Sequence, residues 1–228
     1  MKKYSSFTLA CAIIFGSFVT ANADVFLVLG SYGSSTPNPG LGNSATIYNP
    51  LASTVNSGST STFNISPGTV WHPPIEGSNW VSFDPGTGPT SGVVVPNGDY
   101  IYSTTFNVVG EEVAGIGSLS VLADDTVSIF LNGNLILQSA GPMGPNNSYA
   151  MCSDVGPNCI TPLHFNFTGF AAGLNTLTFD VKQVNGVNQG LDYFGVLTSP
   201  VPEPLPLVLL GTGLLALVGL SRRHIPTA

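Results

Sequence analysis

Val127-Ser128-Ile129-Phe130-Leu131-Asn132-Gly133-Asn134-Leu135-Ile136-Leu137 reads as two short strands joined by a two-residue turn. A type I′ turn needs positive φ at both central positions, and Asn-Gly meets that demand at low steric cost. Before the turn, Val127, Ile129 and Leu131 stand two residues apart, so a strand here sends them to one face. Downstream, Thr176-Leu177-Thr178-Phe179-Asp180-Val181 has the same period and groups Leu177, Phe179 and Val181.

Working outward, further β-rich runs lie at 25–29, 45–48, 62–65, 80–83, 93–95, 100–108, 116–123, 135–138, 163–170, 176–184 and 193–197. The chain of 228 residues carries 27 glycines and 18 prolines, and no stretch between its termini sustains a helical period. Two antiparallel sheets packed face to face satisfy this pattern, each burying one side. The expected fold class is all-β, an antiparallel β-sandwich of jelly-roll type. Residues 31–42 and 141–162 are expected to be long loops, a common seat of function. No internal repeat is visible.

The two ends read differently. Lys2 and Lys3 precede an apolar run at 7–19, and Ala21-Asn22-Ala23 supplies an A-x-A cleavage site, so a signal helix is expected and the mature chain begins at Asp24. A lipoprotein reading through Leu9-Ala10-Cys11 fails on order, because most of the apolar run follows Cys11. At the far end, Val201-Pro202-Glu203-Pro204 leads into an uncharged run at 205–220 and then Arg222-Arg223-His224. As a helix that run spans roughly 24 Å, a little short of the ~30 Å hydrocarbon core. Its glycines are tolerated in a transmembrane helix, and Arg222 and Arg223 as a basic tip put the C-terminus in the cytoplasm. The expected organisation is a signal peptide at 1–23, a β-sandwich at 24–198 and a sorting segment at 199–228.

This tripartite end resembles the PEP-CTERM sorting signal: a Pro-Glu-Pro motif, a short transmembrane helix and a basic tip. The resemblance implies a Gram-negative exporter of exopolysaccharide, in which an exosortase, a membrane-embedded thiol protease, recognises the Pro-Glu-Pro region and removes the tail. The other reading is an anchor that stays attached, with Pro202 and Pro204 acting only as helix stops. Membrane attachment before processing, then a cell-surface or extracellular location, follows from the sorting reading.

A second resemblance rests on three segments: Ala123-Asp124-Asp125-Thr126-Val127-Ser128-Ile129-Phe130-Leu131-Asn132-Gly133, Ala172-Gly173-Leu174-Asn175-Thr176-Leu177-Thr178-Phe179, and Gly190-Leu191-Asp192-Tyr193. Together they resemble the galactose-binding-like jelly rolls found in many PEP-CTERM proteins, over roughly residues 70–198. That likeness implies a fold of the kind used by carbohydrate-binding modules and leaves sugar binding by this copy open.

Charge excludes one class of partner. Residues 24–201 hold eleven acidic side chains against the single Lys182, a formal net charge of −10. Phosphate recognition needs basic groups to exchange with counterions, so nucleic acid is excluded as a partner. What remains is a surface rich in Ser, Thr, Asn and Gly, suited to uncharged polysaccharide and equally to any exported β protein. With Cys11 removed, Cys152 and Cys159 form an even pair expected to close a disulfide in an oxidising compartment. A metal or redox role for them lacks a second cysteine pair or a histidine cluster.

Sugar sites in β-sandwiches combine an aromatic platform with amide or carboxylate partners for hydroxyl groups. The candidate glycan contacts are Trp71 and Trp80 with Glu76 and Asn79, beside His72. The competing reading, favoured by the packing habits of strand aromatics, makes both tryptophans core residues. Asp124 and Asp125 are candidates for Ca²⁺, with Asp192 or backbone carbonyls completing an oxygen shell; the competing reading makes them solvated turn residues. No cofactor is called for.

Catalysis finds little footing. His72 and His164 are scattered, no G-x-S-x-G elbow occurs, and Glu111-Glu112 would point to opposite faces of a strand and fit a turn after Gly110 better. An enzyme is not expected. Sequons at Asn64, Asn146 and Asn166 are read as accidental in a bacterial chain. The functional expectation is an exported, non-catalytic module that binds exopolysaccharide, with a structural matrix or envelope role as the alternative.

Overall fold

The computed structural model describes residues 25–31, 39–75, 77–141, 158–184 and 187–198. Twelve strands form two antiparallel sheets. They are β1 (Val25–Gly30), β2 (Gly42–Asn43), β3 (Ile47–Tyr48), β4 (Thr62–Asn64), β5 (Val81–Ser82), β6 (Gly98–Val108), β7 (Ile116–Asp124), β8 (Thr126–Leu131), β9 (Asn134–Leu137), β10 (Leu163–Phe167), β11 (Gly173–Gln183) and β12 (Gly190–Thr198). One 3₁₀ turn, Gly110–Ala114, carries Glu111 and Glu112.

The seven-stranded sheet runs β10-β7-β12-β5-β4-β2, with β1 also on β12; the five-stranded sheet runs β3-β6-β11-β8-β9. From β6 onward the chain changes sheet at every connection except the β8–β9 hairpin. That hairpin turns where the sequence places it, with φ of 50° at Asn132 and 81° at Gly133. The expected strand at 93–95 is absent; instead the Val95 N–H donates to the Val187 carbonyl, outside any sheet ladder.

Alternation explains the core. β6 turns Tyr100, Tyr102, Phe106 and Val108 inward, β11 turns Leu177, Phe179 and Val181, and these two strands pair without interruption from Gly173↔Val108 to Gln183↔Gly98. Opposite them, β7 contributes Leu119, Val121 and Ala123, and β12 contributes Leu191, Tyr193 and Leu197. Phe179 stacks on Tyr193 across the two sheets at 4.4 Å between ring centroids. Each such large apolar side chain stabilises the fold by about 1.5–3 kcal/mol relative to exposure. The architecture is therefore a β-sandwich. Gly117 is required by packing: a Cβ there would come within 2.4 Å of the Phe167 ring.

Two of the sequence motifs meet at one end of the sandwich. Asn175 is fully buried, and its Oδ1 accepts from Asn132 Nδ2 and the Ala171 N–H, each at 2.8 Å. Its Nδ2 donates to the carbonyls of Ala171 and Gly173. Asn132 Oδ1 in turn accepts from the Thr176 N–H. The Asn-Gly and Gly-Leu-Asn turns are thus one hydrogen-bonded unit.

Residues 1–24 and 199–228 lie outside the described residues, and with them the expected signal helix, the cleavage residues Ala21, Ala23 and Asp24, the motif Val201 to Pro204, the apolar run and the tip at Arg222 and Arg223. Among the described residues no helix is long and apolar enough to cross a membrane.

Candidate functional site

The outer face of the seven-stranded sheet has two halves with different surroundings. Over the first half lie residues 65–75 and 77–80, a strap across the ends of β7 and β12. Ile65, Trp71 and Trp80 pack there with Leu122 and Cys159 as a second apolar cluster, with Ile75 beside them. The segment is tied down at both margins. The His72 N–H donates to the Cys159 carbonyl, Trp80 Nε1 donates to the His72 carbonyl at 2.9 Å, and the Ala123 N–H donates to the Asn158 carbonyl.

This corrects the platform expected on the tryptophans. Trp71 is 4% exposed and Trp80 fully buried, with ring centroids 4.4 Å apart. Neither ring offers an open face to a pyranose, because each is spent on the other and on the sheet beneath. Gly190 makes the approach feasible: a Cβ there would lie 2.8 Å from the Trp71 ring. Asn79 is also buried, and Glu76 lies outside the described residues. His72 keeps its ring on the strap, with Nδ1 hydrogen-bonded to the Pro73 carbonyl.

Asp192 and Asp124 sit beneath the same strap. Asp192 accepts from the Ile75 N–H at 2.9 Å through one oxygen and from Ser31 Oγ at 3.1 Å through the other. Burial pushes its carboxyl up to about 6, and hydrogen bonds from Ser78, Ile75 and Ser31 limit the rise. Asp124 and Asp125 form the corner where β7 passes to β8 and are both buried, not solvated. Burial, then the neighbouring Asp125 charge, holds the Asp124 carboxyl well above its usual range. Asp125 is also raised by burial, with the Val184 N–H opposing the rise at 2.8 Å from Oδ2. The oxygen shell imagined around Asp124 and Asp125 is not completed by Asp192, whose two oxygens are already committed to the strap and Ser31. Among the described residues, no three acidic, histidine or cysteine side chains converge as metal ligands.

Cys159 is fully buried and disulfide-bonded; its expected partner Cys152 lies outside the described residues, as does the sequon at Asn146. The Asn64 side chain is buried and accepts from Asn43 Nδ2, whereas Asn166 is exposed.

The second half of the outer face is open. Strand register there sets Phe194, Ser120 and His164 in one row across β12, β7 and β10, and Val196, Ser118 and Asn166 in the next. Phe194 is half-buried, Ser118, His164 and Asn166 are exposed, and none of the six is an acid, lysine or arginine. Ser120 Oγ and His164 Nδ1 share a hydrogen bond at 2.5 Å. No hydrogen bond joins His164 to a carboxylate among the described residues, so the pair lacks the orienting acid of a catalytic triad. Period-two reading alone contained this row, since residues 118, 120, 164, 166 and 194 all fall on outward positions. It could not be assembled without the order β10-β7-β12.

The outer face of the five-stranded sheet is open too. Its central row runs Ile47, Ser103, Thr178, Phe130, Leu135 across β3, β6, β11, β8 and β9. At one end Lys182 Nζ lies 2.8 Å from Asp99 and 3.4 Å from Asp180. Between the sheets, at the edge where β1 approaches β6, a cleft of about 300 Å³ is lined by apolar side chains, among them Leu27, Leu29, Ile47 and Phe106, and by Ser44, Thr104 and Thr105.

No family model matches the chain. No curated protein matches it either. Among solved structures, a similar chain is described as the native structure of a family 35 carbohydrate binding module from Clostridium thermocellum. The two share 16% identity, with 66% of this chain and 95% of that chain covered, at a TM-score of 0.30. At that level the likeness decides nothing about ligand or site, and the reading below rests on the residues of this chain.

Proposed function

We propose that this protein is an exported, non-catalytic module of jelly-roll type that associates with extracellular polysaccharide and is processed by an exosortase. The observation that carries the reading is an open sheet face bearing hydroxyl, amide, imidazole and phenyl groups with no carboxylate, lysine or arginine among them, on a domain of formal charge −10. Such a face suits neutral, hydroxyl-rich partners, and the domain's net negative charge disfavours anionic ones. The alternation of strands between the sheets from β6 onward, broken only at the β8–β9 hairpin, supports the jelly-roll assignment. The signal peptide, the Pro-Glu-Pro motif and the basic tip supply the route: insertion in the membrane, cleavage, then release to the cell surface or matrix.

Cys152 is the proposed partner of Cys159, a pairing that suits export; a thiol assay of the unfolded mature protein should find no free cysteine. Mass spectrometry of the cell-surface form should find the mass of residues 205–220 missing, and recovery of that run would make the tail a plain anchor. Function itself is tested by applying the mature protein to an array of bacterial polysaccharides and neutral oligosaccharides. Binding to some uncharged member is expected. Complete absence of binding would contradict polysaccharide association and leave a structural role in the envelope or biofilm matrix.

A further inference from the structure

We propose that the open half of the outer face of the seven-stranded sheet is a binding site for a neutral glycan segment, with Phe194 as the stacking ring and Ser118, Ser120, His164 and Asn166 as partners for its hydroxyl groups. The inference rests on the polysaccharide-association reading and goes further by naming the site and the charge class of its ligand.

Geometry selects these residues. Phe194, Ser120 and His164 are directly opposite one another on three adjacent strands, and Asn166 follows two residues after His164 on the same face. Adjacent strands lie ~4.8 Å apart, so the ring and the imidazole are separated by two strand spacings, about 10 Å, a span comparable to a disaccharide. The C–H face of a pyranose stacks on an aromatic ring while its equatorial hydroxyls reach sideways, and sideways from Phe194 is where Ser120 and His164 stand. The Ser120 hydroxyl fixes one ring nitrogen of His164 and leaves the other to a ligand. Asn166 brings both a donor and an acceptor, which matches a sugar hydroxyl in either sense.

Shape adds a boundary. The strap ends its coverage against Phe194: Gly77 sits at φ +84°, and a Cβ there would be 3.1 Å from the Phe194 ring edge. The strap therefore stands as a ledge beside the ring, and a flat sheet face becomes a step against which a ligand can seat. The other open face lacks this combination, since Phe130 has Thr178 and Leu135 as cross-strand neighbours and no amide or imidazole in its row.

The charge class follows from what the patch omits. No carboxylate, lysine or arginine lies among its residues, and the domain's net negative charge repels an anionic polymer. The site therefore takes an uncharged glycan.

The test is affinity electrophoresis of the mature protein through native gels containing neutral glucan, galactan or mannan, with alginate as the anionic arm. The variants are F194L, N166A and, as a control on the opposite face, T178A. Retardation of the wild type in a neutral gel, weakened about tenfold by F194L and several-fold by N166A but not by T178A, is the expected result. Asn166 is exposed, so N166A keeps the test decisive if F194L perturbs folding. Wild-type retardation that neither variant changes would overturn this site and leave polysaccharide association standing. Retardation confined to alginate would overturn the neutral ligand. Unchanged mobility in all four gels would overturn both the site and the functional reading beneath it.

Discussion

The side-chain amide of Asn132 donates to Oδ1 of Asn175 at 2.8 Å, joining two turns that lie 43 positions apart in sequence. Asn175 is fully buried and also serves Ala171 and Gly173, so its loss strands several backbone groups at once. N175A should cost about 2–4 kcal/mol in urea unfolding, because orphaned buried polar groups carry their full desolvation penalty. N132A, at an exposed turn, should cost clearly less. Equal losses in the two variants would contradict the assignment of Asn175 as the hub.

The strap makes a second prediction. Trp80 is fully buried against Trp71, and Trp-to-Ala changes in such settings cost about 3–5 kcal/mol. For a domain of this size W80A should lower Tm by on the order of 10 °C. A W80A protein with unchanged melting and lost glycan binding would restore the tryptophan as a direct contact.

Acidity should stabilise the fold. The Asp192 carboxyl is pushed up to about 6 in the folded chain from its ordinary 3.8, so between those values the unfolded state ionises while the native state keeps its proton. The contribution is fully present below the ordinary value and lost as pH rises through about 6. Asp124, Asp125 and Asp180 are raised by burial in the same sense. Tm should therefore be higher at pH 5 than at pH 7.5, and D192N should flatten the difference. A wild-type Tm that rises over that interval would contradict the account.

The legible part of the fold was the part governed by period two. Val127, Ile129 and Leu131, and Leu177, Phe179 and Val181, which period two groups in the sequence, all line the core, although Thr126 and Ser128 on the other face of β8 are buried as well. Val93 and Val94 misled: they are β-branched and adjacent, yet both are exposed beside a stretch whose backbone is not in a ladder. The site was harder. Trp71 and Trp80 are the chemistry that a glycan platform requires, and local sequence contains nothing to say that they cover each other. Their burial depends on Gly190 and Leu122, more than 40 residues downstream. Phe194 and His164 stand 30 positions apart in sequence, and only their common neighbour Ser120 makes them a row.

The central claim is a glycan held on the open half of the seven-stranded sheet. Its most direct test is a ¹H–¹⁵N correlation spectrum of the isotopically labelled mature protein, titrated with a neutral oligosaccharide drawn from any polysaccharide that retards it. Shifts should concentrate on amides of 117–121, 163–167 and 193–197 and be sparse on β8, β9 and β11. Shifts gathered instead around Phe130 and Thr178, or spread with no focus on β7, β10 and β12, would contradict the account.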